Sequence, residues 1–180
     1  MLSNQINKFA LVAALTLLGA GGLAEAQTGH DSTAASGPAA SSPTEIAGEK
    51  TAVMSLLSSY EAALNASNVA AVMRLYAEDG VFMPPSNQSA VGAAAVRQAY
   101  DAVFKAIKLN LKFTVAEVVQ VAPNWAFART NSAGTVTVNA TGAKSAEANQ
   151  ELFIFTKGAD GAWKIARYSF STTNPPLRQQ

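Results

Sequence analysis

The sequence contains no cysteine and a single histidine, His30, among its 180 residues. That leaves no thiol for a disulfide or a nucleophile, and too little imidazole for a His-cluster metal site or a Ser-His triad. Charge is equally sparse, at 14% of residues, with 13 Lys+Arg against 12 Asp+Glu for a formal net charge of +1. The basic residues are scattered singly, so the electrostatic footprint of a nucleic-acid binder is missing. No glycine-rich phosphate loop, G-x-S-x-G elbow, paired-carboxylate spacing or metal triad occurs. Neither a metal nor a cofactor is indicated.

What is present is apolar material, 49% of the chain, enough for one ordinary domain. The first 26 residues have the form of a secretory signal. Lys8 supplies the positive start, residues 9–24 form an uncharged Ala- and Leu-rich run, and Ala24, Glu25 and Ala26 offer a small-x-small cleavage site. The run is shorter than the roughly 20 apolar residues of a membrane span and carries Gly19, Gly21 and Gly22. A periplasmic or secreted protein is expected, with no membrane association after cleavage. Residues 27–43 have no large apolar side chain and read as a flexible tether holding His30. The folded unit spans residues 44–174, and residues 175–180 form a tail.

Inside that unit, Ile46, Val53, Leu57, Tyr60 and Leu64 recur at helical spacing, ending near Ala66. After a capping break at Ser67 and Asn68, Val69, Val72, Met73 and Tyr76 predict a short second helix, stopped by Asp79 and Gly80. A short strand over residues 81–83 is cut by Pro84 and Pro85. Val96, Tyr100, Val103, Phe104 and Ile107 predict a third helix. From Leu109 the period changes to two, with Leu109, Leu111, Phe113, Val115, Glu117, Val119 and Val121 on one side. Strands over residues 125–138, 147–157 and 163–172 follow. Three helices followed by an antiparallel meander give an α+β fold, a curved antiparallel sheet rolled around the helices into a cone.

The order of these elements, with Tyr60, Ala62, Ala63, Leu64 and Asn65 in the first helix, Leu75 to Gly80 after the second and Asp160, Gly161, Trp163, Lys164 and Ile165 in the last hairpin, resembles the SnoaL-like branch of the nuclear transport factor 2-like superfamily. The resemblance covers residues 46–172 and implies a ketosteroid isomerase-like cone fold, but it does not specify a chemistry. In the isomerases of this superfamily a tyrosine donates to the developing enolate, and Tyr60 falls at that place. Pro84 falls where their proton-moving aspartate stands, and proline cannot take a proton. Glu147 lies near their second oxyanion donor. The two carboxylates of the superfamily's epoxide hydrolases have no counterpart here.

Read from the residues, Arg129 shares its strand face with Trp125 and Phe127, so it is expected in the cone wall, where a guanidinium must be paired or must serve a ligand. Glu151 stands between Asn149 and Phe153 on the next strand. Arg129 and Glu151 can then be a cross-strand structural bridge, or a site reading a carboxylate or carbonyl group. Tyr60 and Tyr168 are the other ligand-binding candidates, beside Trp125, Phe127, Arg129, Asn149 and Glu151.

The expected function is binding of a small amphipathic organic molecule in a pocket anchored by Arg129. The alternatives are a cofactor-free cyclase-, dehydratase- or isomerase-like enzyme with Tyr60 as electrophile and Glu151 or Glu147 as base, or a homo-oligomeric association domain. A homodimer is expected through the face opposite Arg129 and Glu151, assigned Val118, Val136, Val138, Leu152 and Ile154.

Overall fold

Helix α1 (Pro43–Asn65) begins the part of the chain that the computed structural model describes, residues 43–174. The signal segment, His30 with nearly all of its tether, and the tail lie outside the described residues. Pro43, placed in the tether by the sequence, belongs to the helix, where a first-turn residue has no intrahelical acceptor for the N–H that proline lacks. No helix among the described residues is long and apolar enough to cross a membrane.

The apolar stripe of α1 buries Val53, Leu56, Leu57, Tyr60, Ala63 and Leu64. Asn68 caps α2 (Val69–Leu75) by accepting from the Ala71 N–H at 2.9 Å. Strand β1 (Tyr76–Met83) is longer than residues 81–83, because the chain is already extended at Tyr76. The two-residue β2 (Ala90–Val91), absent from the sequence reading, pairs with β1 before α3 (Ala93–Ala106). Four long strands follow: β3 (Ile107–Ala122), β4 (Trp125–Val138), β5 (Lys144–Lys157) and β6 (Trp163–Thr172).

These strands form one sheet in the order β2-β1-β6-β5-β4-β3. The meander from β3 to β6 is antiparallel as expected, but β1 lies parallel to β6, so the sheet is mixed. Alternation marks which segments are extended; it carries no information about the partner of a strand separated from the meander by a helix.

Register shifts in β3 and β6 decide which side chains face the helices. In β3, Val115 pairs with Thr130 and Glu117 with Arg129, leaving Ala116 as an extra residue. A bulge reverses the alternation beyond it. Leu111, Phe113 and Val115 face inward before it, whereas Val118 and Gln120 do so after it, so Glu117 and Val119 turn outward rather than continuing the inner row; Val121, the extra residue at a second shift before Ala122, is exposed. In β6 a shift at Ala166 puts Ile165, Tyr168 and Phe170 on the inner side.

On β4 the inner row is Ala126, Ala128, Thr130 and Ser132, all buried. Trp125, Phe127 and Arg129 therefore lie on the outer face, the reverse of the sequence assignment. The reason is volume: Phe155 and Phe153 of β5 stand opposite Ala126 and Ala128, and the large rings leave room for only a methyl group beside them. Val118, Val136 and Val138 likewise belong to the inner side, whereas Leu152 and Ile154 pair with Arg129 and Phe127 on the outer one.

Helix α1 also closes the free edge of β3. Asn65 accepts from Leu111 N–H and donates to the Leu111 carbonyl, both at 2.8 Å, and Glu61 accepts from Phe113 N–H at 2.7 Å. Two side chains one helical turn apart thus satisfy backbone groups that an exposed edge would leave open. The β3 and β4 backbones come so close at Gly134 that a Cβ there would sit 2.0 Å from the Asn110 carbonyl oxygen. Replacing Gly134 by alanine is expected to cost about 1–3 kcal/mol, read as a lower urea midpoint. An unchanged midpoint would show that β3 can move away without loss.

Candidate functional site

The interior of the cone holds four buried tyrosines delivered by four elements: Tyr60 from α1, Tyr76 at the start of β1, Tyr100 from α3 and Tyr168 from β6. The Tyr100 hydroxyl lies 2.5 Å from that of Tyr60 and 2.9 Å from that of Tyr76. Each phenol offers one donor and can accept, so the three form a hydrogen-bonded chain. Tyr168 meets the Tyr60 ring edge-on at 5.4 Å and stacks on Phe153 at 4.3 Å. Burial raises all four phenols well above their ordinary value of 10.0, so they are neutral donors at physiological pH. For Tyr168 the charge of Glu151 adds to the rise, which links the phenol cluster to a carboxylate.

Glu151 is buried on the inner face of β5. Thr130, directly across from it on β4, donates to one carboxylate oxygen at 2.5 Å, and Ser132 donates to the other. The Glu151 carboxyl is raised above 4.5 because burial outweighs these two hydroxyl donors. Asn149 precedes it on the same face, with its amide nitrogen 3.5 Å from the Ser132 hydroxyl and its Oδ1 buried without a hydrogen-bond partner. Glu147, half-buried, continues the row; burial raises its carboxyl too, against an opposing hydrogen bond from Asn149. The inner face of β5 thus changes from Phe155 and Phe153 at one end to Glu151, Asn149 and Glu147 at the other.

Of the seven sequence candidates, the structure brings together Tyr60, Asn149, Glu151 and Tyr168. It separates Trp125, Phe127 and Arg129, which lie on the outside of the sheet. Arg129 has a side chain 62% exposed, and its guanidinium pairs with Glu117 across from it on β3. Neither the arginine pocket nor the Arg129–Glu151 bridge is formed, because Arg129 and Glu151 occupy opposite faces. Tyr76, Tyr100, Thr130 and Ser132 were not singled out as site residues. The last two carried a signal: Ala126, Ala128, Thr130 and Ser132 alternate as small residues, the mark of a strand face covered by large neighbours.

A small cavity of about 40 Å³ is lined by Glu49, Val53, Gln120 and Trp163 among others, and an open cleft of about 420 Å³ by residues including Asn65, Lys108, Thr135 and Lys144. Neither touches Glu151 or the four tyrosines, and Tyr168 stacks on Phe82 and Phe170. Among the described residues no group of three His, Cys, Asp or Glu side chains converges to hold a metal ion.

The raised Glu151 carboxyl has a consequence for stability. The folded state keeps the proton to a higher pH than the unfolded chain does, so stability falls as pH rises from about 4.5 through the folded-state value. Glu151→Gln is expected to flatten that fall and to leave the protein at least as stable as the parent at neutral pH, as measured by urea midpoints across the pH range. A steeper fall in the variant would contradict this assignment.

A family model described as a SnoaL-like domain matches residues 57–168. Among solved structures, a ketosteroid isomerase-like protein from Erwinia carotovora atroseptica is 36% identical, the match covering 71% of this chain and 98% of that one with a TM-score of 0.68. A hexachlorocyclohexane dehydrochlorinase of type 2 is 11% identical over 77% of this chain and 95% of its own, with a TM-score of 0.66. A nuclear transport factor 2-like superfamily protein from Salmonella enterica serovar Typhimurium is 14% identical over 74% and 99%, with a TM-score of 0.62. At these lower identities the likeness is one of fold. No match is found among functionally curated proteins. The motif order, the mixed curved sheet around three helices and these likenesses agree that the chain belongs to the SnoaL-like domain family, with the nuclear transport factor 2-like fold.

Proposed function

We propose that this protein is an exported small-molecule-binding domain whose ligand enters the polar end of the cone and reaches Glu151, Asn149 and Tyr168. The observation that supports this most directly is the buried carboxyl of Glu151 beside a buried amide oxygen with no partner. An interior kept only for stability is better served by apolar packing, since buried polar groups without full pairing are costly. The phenol chain behind Tyr60 adds donors that polarise one another in a dry environment. The ketosteroid isomerase-like name of the 36% identical relative accords with a ligand inside the cone. Steroid isomerisation is not part of this proposal, because Pro84 stands where the resemblance places the proton-moving base.

Native mass spectrometry of the protein purified from its source tests this reading. The expected result is a retained organic molecule, lost in Glu151→Gln and Tyr168→Phe, on a chain whose mass starts at Gln27. A parent chain carrying nothing, with tyrosine resonances unmoved by a library of aromatic fragments, would overturn it.

Self-association is a second and compatible reading, favoured by the outer sheet face. Val119, Val121, Trp125 and Leu152 are exposed there, Val121 at 63%, flanking the Arg129–Glu117 pair. Adjacent apolar groups on a strand face left in water favour coverage by a second copy. Sedimentation velocity is expected to give a dimer for the parent and a monomer for Leu152→Lys; a monomeric parent at micromolar concentration removes the reading.

A further inference from the structure

The inner face of β5 carries an unusual excess of acceptors. Among the described residues, four acidic groups pair with cations, Glu61 with Lys112, Glu117 with Arg129, Glu49 with Lys157 and Asp79 with Arg167, while Glu78 and Asp160, which have none, are exposed to water and Asp101 is partly so. Glu147 and Glu151, both drawn toward the interior, have none. The hydroxyl donors closest to hand, Thr130 and Ser132, are already given to Glu151. Asn149 between the two carboxyls is 94% buried, from a relative exposure of 6%, and its Oδ1 accepts from nothing. Alternate residues of a strand stand about 7 Å apart on one face, so each carboxyl is within reach of a group seated over Asn149.

Aromatic rings complete the surroundings. Phe170 stands directly across from Glu151 on β6, Phe113 across from Ser132 on β3, and Tyr168 is close enough to feel the Glu151 charge. Ring faces attract cations, and carboxylates accept from them; an anionic ligand would meet repulsion from both. A primary ammonium brings three donors to a place where only acceptors remain unsatisfied.

Resting on the cone-binding reading above, we propose that the ligand carries an organic ammonium group, held by Asn149 Oδ1 and the Glu147 and Glu151 carboxylates among the rings of Phe113, Phe170 and Tyr168. This replaces the carboxylate- or carbonyl-bearing ligand expected when Arg129 was assigned to the wall. Charge complementarity sets the specificity: the ammonium compensates carboxylates that the protein itself leaves without a cation.

Isothermal titration of the full chain at neutral pH with benzylamine, benzyl alcohol and benzoate separates the charge of the head group from its shape. Benzylamine is expected to bind at least about tenfold more tightly than either of the others. Glu147→Gln and Glu151→Gln should each reduce that preference. If Glu151→Gln loses its far-UV circular dichroism, Glu147→Gln at the half-buried end carries the test alone. Equal affinity for the three probes, tighter binding of benzoate, or a preference for benzylamine unchanged in a folded Gln variant would overturn the ammonium assignment while leaving a ligand-binding cone intact. Binding of none of the three would also overturn it, and the retained-ligand measurement then decides the cone reading independently.

Discussion

Tyr60 of helix α1 is fully buried against the sheet, and the interior is arranged around that one ring. Tyr100 of α3, Phe113 of β3, Phe153 of β5 and Tyr168 of β6 all meet it edge-on. Edge-to-face geometry is a favoured contact between aromatic quadrupoles, and it lets the Tyr60 ring meet the edge of a stacked series that runs Tyr100, Phe82, Tyr168, Phe153 and Phe155. The same crowding explains why β4 presents only alanine and small hydroxyl residues beneath these rings, and why the edge of β3 lies close enough to α1 for Glu61 and Asn65 to bond its backbone.

That packing also separates polarity inside the cone. Where α1 and the aromatic residues fill the space, β5 is phenylalanine; beyond them it is glutamate and asparagine. The outer face has its charges matched across strands, as in Arg129 with Glu117, in water where such a pair contributes little. Inside, hydroxyls are the partners of Glu151, and they stabilise its charge without neutralising it. The contrast gives the two faces different characters: an outer surface of exposed apolar groups around a solvated ion pair, and an inner end whose carboxyls have only hydroxyl and amide neighbours.

Much of the fold was legible from periodicity and punctuation. The stripe Val53, Leu57, Tyr60 and Leu64, the cap at Asn68, and the four long strands all follow from local chemistry, and their limits differ from the structure by a few residues. On β5, alternation groups Asn149 and Glu151 with Phe153, and the grouping holds because the strand pairs with β4 without a shift and Phe153 is buried. On β4 the same parity argument chose the wrong face, since it followed the large residues; a strand packed beside Phe153 and Phe155 has its large residues outside.

The sequence by itself determined most of the helical and extended segments, that the domain is α+β, and that thiols supply no chemistry and imidazole at most one group. These depend on neighbours a few residues apart and on composition. Only the tertiary structure decided that β1 runs parallel to β6, that the extra residue at Ala116 turns Glu117 outward to meet Arg129, and that Glu151 lies instead with Thr130, Ser132 and Tyr168. Each of these is set by which strand lies beside which and by the volume its side chains leave, and neither quantity is a property of any one segment of the chain.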